Sequence, residues 1–461
     1  GTSWQTIEGD SSANHIYGVC TYASVNPASL CQSAPSSPVH HYQLAYASQA
    51  LTCQAQTVTV SACADAACST RYTSGTSSLA VSPGGSAISF VGSTTTNIAV
   101  RSAQTVSLAV SNASPAAVNA TLCSIDGGTP SSNCNLTFAY SGLLVQAPDL
   151  IAGKADTLTV TAVRTSDNSA SCVPAFAKVS RPVQFWSTYV SPNEGSSPVL
   201  LGGSAISGNR GSPTTLTLNF NASGQAPLLL NYADAGQVQI DARYVGSSAS
   251  GDVGLTMDGA DTFISRPYGL HLSTDASCSA ASVAGCTVLR AAGDSFQLRI
   301  RAVAWQADGE PRTAAKLADN PSTPNFRLSD IAVASTLVAP AGGDNGSLSR
   351  ASCPVSDSPT SCDLSESEVG VFTISATPPS GGYFGYTVDG GQSDLVGRFT
   401  PAYLGASASA QLTPACGTFS YQQQEIGFAT GQAPLLTVTG YNRQGGVTRN
   451  YDRGDFWRLS A

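Results

Sequence analysis

Three times along the chain, a small residue and a glycine are followed by the same alternation of apolar side chains. Ala152-Gly153 leads into Leu158, Val160, Ala162 and Val163. Ala292-Gly293 leads at identical offsets into Leu298, Ile300, Ala302 and Val303. Thr430-Gly431 leads into Leu436, Val438, Gly440 and Tyr441. Val58, Val60, Ala62 and Cys63 fit the same strand without the leading glycine. Period-two alternation puts every second side chain on one face, the signature of half-buried antiparallel strands.

A second unit also recurs. Phe90 to Val110 aligns without gaps on Phe220 to Ala242: a phenylalanine, a small polar loop, an apolar strand, a turn and a further alternating strand. One unit opens a module and the other closes it. A lone sheet cannot bury its apolar face, so the two must stack. The expected fold is all-β: tandem immunoglobulin-like antiparallel β-sandwich domains in an elongated array, with local disulfides. Turns such as Pro83-Gly84-Gly85, Asp126-Gly127-Gly128 and Asp389-Gly390-Gly391 punctuate the strands. Helical periodicity is nearly absent, and Thr313 to Ala318 is expected to make one turn. The 23 Asp against 6 Glu fit acids placed in turns and not on helices.

The modules are drawn at 40–112, 113–262, 263–396 and 397–461, after a tail and linker over 1–39. The last has an opening half and then reaches Ala461. Either it continues beyond that residue, the favoured expectation, or another polypeptide completes it by adding a strand at an open edge.

The 13 cysteines fall largely into close pairs: Cys20/Cys31, Cys63/Cys68, Cys123/Cys134, Cys278/Cys286 and Cys353/Cys362. Loop-like segments between them favour local disulfides over zinc, which calls for paired knuckles that do not occur here. Cys53, Cys172 and Cys416 are left unassigned. A Cys53–Cys172 bridge has no support from spacing, and the odd count leaves one thiol free or paired outside the chain. Disulfides place the chain in an oxidising compartment, and the scarcity of Lys and Met suits an exported bacterial surface protein. The expected location is extracellular or at the cell surface, reached through the periplasm.

Charged residues make up 11% of the chain, and its formal net charge is -8. A nucleic-acid binder would carry a basic stripe, and a helical bundle would be rich in Lys, which occurs only at 154, 178 and 316. No apolar run reaches the ~18–20 residues of a membrane span. The chain starts at Gly1 with no signal-peptide pattern, as a mature or trimmed product would. Five N-x-S/T sites (Asn112, Asn119, Asn135, Asn221, Asn345) are of the number that chance gives in a Ser/Thr-rich chain.

No catalytic motif emerges. His15, His40, His41 and His271 form no metal-protease spacing, and the neighbours His40 and His41 should point to opposite faces of a strand. Glu366 and Glu368 lie two apart, so on a strand they share a face, as an acid and base pair would. Their setting beside Cys362 reads instead as a solvated loop. Asp258, Asp261 and the turn from Asp389 to Asp394 could ligate Ca²⁺ but match no calcium loop. Arg453-Gly454-Asp455 reads as a turn leading into a strand. Trp4, Trp186, Trp305 and Trp457, with Tyr403 and Tyr421, could offer a carbohydrate-stacking platform, with core packing the default. Trp186 and Phe185 alternate, so one of them should be exposed. No catalytic, cofactor-binding or metal-ligating residue is expected.

The segment from His40-His41-Tyr-Gln-Leu to Val58-Thr-Val-Ser-Ala-Cys63-Ala-Asp-Ala-Ala-Cys68 resembles the stretch after the lectin-like region of MshQ-type proteins. Asn231-Tyr-Ala-Asp-Ala-Gly236 and Arg266-Pro-Tyr-Gly269 are similar to that family's central blocks. Gly397-Arg-Phe-Thr-Pro401, Ala415-Cys-Gly-Thr-Phe-Ser-Tyr421 and Asn450-Tyr451 are similar to its C-terminal block. The blocks lie in the family's order over residues 40–461. MshQ-type proteins are encoded with type IV pili of the mannose-sensitive haemagglutinin (MSHA) class. The resemblance therefore implies a large, exported, non-enzymatic protein of the pilus tip or its assembly, and a possible adhesin. The partners it implies are minor pilins or other pilus components, with a surface glycan or host receptor as a further ligand. It carries over no catalytic residues. A concanavalin-like lectin module often precedes these blocks, and residues 1–39 are too short to hold one. Runner-up readings are non-catalytic carbohydrate-binding modules of a secreted protein and a β-sandwich glycoside hydrolase.

Overall fold

The computed structural model describes residues 39–459 except 86, 168–170, 276–277 and 433. Its described residues divide into two compact units: those of 39–140 with 165–172, and those of 141–164 with 173–459. Cys20, Cys31, His15 and Trp4 lie outside the described residues.

The first unit holds one sandwich. One sheet orders Thr94–Ile98, Gln56–Cys63, His41–Tyr46 and Leu122–Ile125. The other orders Gln49–Leu51, Asn135–Ala139, Gln104–Ser114, Thr76–Ser82 and Ile88–Val91. Val58, Val60 and Leu44 from the first sheet meet Leu79, Val106, Leu108 and Leu136 from the second in the core. This sandwich runs to Ala139, beyond the expected boundary at 112. Leu122–Ile125 pairs in parallel with His41–Tyr46, and Asn135–Ala139 pairs with both Gln49–Leu51 and Gln104–Ser114. Two strands assigned to the next module are thus needed to close this one. Cys123, on one sheet, bonds Cys134 at the start of a strand of the other. Cys63–Cys68 closes a short loop, and Cys53–Cys172 joins residues 119 apart in sequence.

In the second unit, residues 141–266 form another sandwich. One sheet is Ser141–Gln146, Asp156–Thr165, Gln225–Tyr232, Val199–Leu201 and Ser204–Ala205; the other is Leu150–Ile151, Thr256–Arg266, Gly236–Val245, Val179–Ser191 and Thr214–Phe220. Residues 269–400 form the next. Gly269–Ser273, Ser295–Val303 and Thr360–Ser365 face Arg290–Ala291, Val396–Thr400, Gly370–Thr377, Leu328–Ala339 and Ser352–Val355. Its last strand runs to Thr400, past the expected boundary at 396. Cys353–Cys362 links its two sheets, and Cys278–Cys286 closes a loop. The one α-helix among the described residues, Ala314–Leu317, is capped by Thr313, whose side chain accepts from the Lys316 N–H.

The recurring motif has a structural cause. Gly153, Gly293 and Gly431 all adopt left-handed φ values, of 83°, 86° and 80°. Glycine enters that region without a Cβ clash, so each can turn the chain sharply into a long strand. In the first two copies a short strand before the glycine pairs in parallel with the sandwich's closing strand: Leu150–Ile151 with Thr256–Arg266, and Arg290–Ala291 with Val396–Thr400.

Residues 403–441 do not form the expected fourth sandwich. They form two hairpins, Tyr403–Ser409 with Leu435–Tyr441 and Leu412–Thr413 with Gly427–Phe428. No closing sheet covers them among the described residues.

Candidate functional site

The third copy of the motif sets this C-terminal ribbon apart. Leu158 and Leu298, five residues after their glycines, are fully buried between sheets. Leu436, at the same offset, is 66% exposed, and its neighbour Leu435 is 63% exposed. The alternation that fills a core twice is here laid open. Nine of the 21 large apolar side chains exposed among the described residues fall between Tyr403 and Tyr441. They include Leu404, Leu412, Phe428 and Tyr421. Over the same stretch Glu425 is the sole charged residue. Sheet edges that must stay unpaired usually carry Lys, Pro or inward charges. Neither long strand of this ribbon carries any.

The ribbon's base is fixed firmly to the third sandwich. Arg443 makes a two-point ion pair with Asp294, at 2.7 and 2.9 Å, which holds the Asp294 carboxyl below the usual carboxylate range. The Arg443 N–H donates to the Ala292 carbonyl, and the Gln444 amide donates to the Gly293 carbonyl. The turn opening the third sandwich is thereby the seat of the ribbon. Asn450, fully buried, accepts from the Asp344 N–H and donates to the Asp344 and Val369 carbonyls.

Glu366 and Glu368 belong to this anchor. Sequence context suggested a solvated loop; both are instead buried, at 1% and 5% exposure. The Glu368 carboxylate accepts from the N–H groups of Val369, Arg449 and Asn450, at 2.8, 2.9 and 3.2 Å. It clamps the C-terminal turn to the sandwich. Glu366 accepts from the Ser367 N–H, and burial raises its pKa, partly offset by hydrogen bonds from Ser335 and neighbouring N–H groups. The pair binds backbone, and the loop reading failed because the distant turn at 449–450 covers it.

The other candidates are dispersed. Arg453 donates to the Gly342 carbonyl and Asp455 accepts from the Val283 N–H, while Gly454–Phe456 is a 3₁₀ turn that leads into no strand. Phe185 and Trp186 are both buried: Phe185 lies in the core, while the Arg210 and Arg243 guanidiniums stand over the Trp186 ring. Lys154 stands over Trp305, and Trp457 packs near Tyr451. Among the described residues, the candidate aromatic side chains therefore assemble no common platform. Tyr403 stacks on Tyr441, and Tyr421 meets Phe419 edge-on.

Asp258 pairs with Arg243, Asp261 accepts from Ala147 and Thr262, and Asp389 pairs with Arg312. Those carboxylates are committed to protein partners. His41 lies beside Cys63 and Cys68, but these sulfurs are bonded to each other. Burial and the neighbouring His40 lower the His41 pKa, while Arg301, second to burial, lowers that of His271. Cys416 is the one free cysteine among the described residues, beside Gln424.

Residues 120–260 match the profile described as Domain of unknown function (DUF6701), first Ig-like domain. Residues 266–364 match its second domain and 368–461 its third. The chain carries the three DUF6701 domains in order. Residues 39–116 match a further domain of unknown function, DUF8613. The profile junctions at 116/120 and 364/368 fall before the sheets close at Ala139 and Thr400, so sandwiches of this chain borrow strands across them. No curated protein matches the sequence.

Among solved structures, the D0-D1 domain of intimin is 16% identical, with 56% of this chain and 97% of that chain covered, at a TM-score of 0.17. The adhesin InvE of Yersinia pseudotuberculosis is 15% identical, with 70% and 97% covered, at 0.20. A C-terminal intimin fragment in complex with the intimin-binding domain of its translocated receptor is 13% identical, with 59% and 67% covered, at 0.23. At these TM-scores the likenesses carry no statement about function.

Proposed function

We propose that this chain is an exported, non-enzymatic surface component of an MSHA-like type IV pilus, tip-associated, acting in pilus assembly or adhesion. The ordered MshQ-like blocks, the DUF6701 domains and the disulfide-pinned sandwiches support that reading. One observation carries the functional part: the third copy of the core-forming motif keeps its apolar, uncharged face exposed on a ribbon whose base is rigidly held. An added strand would satisfy the free backbone edge and pack beside Leu436 and Val438, which share one face, the physics of β-strand addition. Minor pilins are the proposed source. The ribbon's neutrality suits a hydrogen-bonded and apolar partner and not a charged one.

The test is co-purification of the chain with separately expressed minor pilins, beside the variant Leu436→Asp. Retention of a pilin by the wild type and its loss from the variant is expected. Binding of a glycan panel with no pilin retained would favour the carbohydrate-binding reading instead, for which the exposed Phe419 and Tyr421 rings speak. The glycoside-hydrolase reading loses its acid pair to the backbone clamp at Glu368.

A further inference from the structure

Beside the ribbon's base, a cavity of about 340 Å³ opens between the last strand of the third sandwich and the C-terminal turn. Its floor is apolar and firmly packed: Val369, Phe399, Tyr451 and Phe456 are all buried. Two arginines line it, Arg398 and Arg458. Neither forms an ion pair with a described residue. Arg398 is held by its backbone, whose N–H donates to the Thr287 carbonyl and whose carbonyl accepts from the Leu289 N–H. Its side chain makes a single long hydrogen bond, 3.4 Å from Nε to the Cys286 carbonyl. Arg458 is exposed and makes no hydrogen bond with a described residue. The chain has 29 acids for 21 bases, and many of its other arginines pair with an Asp or a carbonyl. Arg398 and Arg458 instead share one largely apolar hollow.

Their charges act on each other. Burial lowers the Arg398 pKa first, the repulsion of Arg458 lowers it further, and Asp455 draws it back up. Two like charges beside one cavity favour an anion between them. A planar guanidinium presents paired donors that match a carboxylate edge. The volume is at the low end of ligand cavities, about 300–1,000 Å³, and fits one ring and not a chain of them. The exposed Tyr403 at the rim offers an apolar face to the C–H side of such a ring.

We propose that this cavity binds a carboxylate carried on a single sugar ring, an acidic monosaccharide residue, with Arg398 and Arg458 holding the carboxylate. The inference stands on the cavity alone and holds whether or not the ribbon meets a pilin.

The experiment titrates the whole chain with glucuronate and N-acetylneuraminate, and in parallel with glucose, acetate and inorganic phosphate, by ligand-observed NMR up to about 10 mM. At least one acidic sugar is expected to bind saturably, glucose not at all, and acetate and phosphate more weakly than that sugar. Arg398→Gln and Arg458→Gln should each weaken binding by about tenfold or more. Arg458 is exposed, so its variant keeps the fold, which an unchanged thermal transition verifies. Equal binding of glucose, acetate or phosphate would overturn the proposal. So would unaltered affinity in the Arg458→Gln variant, or no binding of either acidic sugar.

Discussion

Leu298 and Leu436 occupy the same place in one sequence motif and opposite environments, which makes them a matched pair for substitution. Leu298 is fully buried between the sheets of the third sandwich, among Phe296, Ile300 and Phe372. Leu298→Ala removes three buried carbons, worth about 2.4 kcal/mol at ~0.8 kcal/mol each. The cavity left behind raises the cost to roughly 3–4 kcal/mol. Leu436 is two-thirds exposed and leaves no cavity, so Leu436→Ala should cost less than about 1 kcal/mol. Urea unfolding with the disulfides intact should separate them, followed by hydrogen exchange along Ser295–Val303 and Leu435–Tyr441. With a slope of ~2 kcal/mol per molar, Leu298→Ala moves the midpoint of the third sandwich by more than about 1 M. Leu436→Ala should leave that midpoint in place. Equal costs would mean that the ribbon face is already packed, and the reading of an open core would fail.

Three further outcomes follow from the anchors and bridges. Losing Cys53–Cys172 should cost the first unit more than losing Cys63–Cys68: with loops of 119 and 5 residues, chain entropy gives about 5 and 2 kcal/mol, read as a difference in melting temperature between the paired Ser variants. Asn450→Ala strips three buried hydrogen bonds, so it should cost about 2–3 kcal/mol and expose the 442–459 segment to limited proteolysis while the second sandwich stays intact. Glu366 has its pKa raised in the folded state, so the stability it contributes is present below its unfolded pKa and is lost as pH rises through the folded one. The wild type should therefore gain stability relative to Glu366→Gln as pH falls from 7 to 4, measured by denaturant midpoints; a gap that widens towards acid in favour of Gln would refute that assignment.

The sandwich class was legible because period-two alternation maps directly on strand faces, as at Leu158 and Leu298. The local disulfides were legible because short Cys spacings imply closed loops. Boundaries were not. Leu122–Ile125 and Asn135–Ala139 look like the start of a new module, and only pairing with strands some 80 residues earlier shows where they belong. Cys53–Cys172 was open for the same reason. The burial of Glu368 depends on Arg449 and Asn450, and the facing of Arg398 and Arg458 depends on a turn 60 residues away. No local pattern encodes either. The exposure of Leu436 was also hidden, since its motif repeats the apolar alternation of two copies that are buried.

The central claim is that the ribbon of residues 403–441 is an open half-core awaiting a strand. Hydrogen exchange of the Tyr403–Ser409 and Leu435–Tyr441 amides, measured on the chain alone and with purified minor pilins, tests it most directly. The account predicts fast exchange in the chain alone, against slow exchange in Asp156–Thr165 and Ser295–Val303, and strong protection once a pilin is bound. Ribbon amides as protected in the isolated chain as those two buried strands would contradict it.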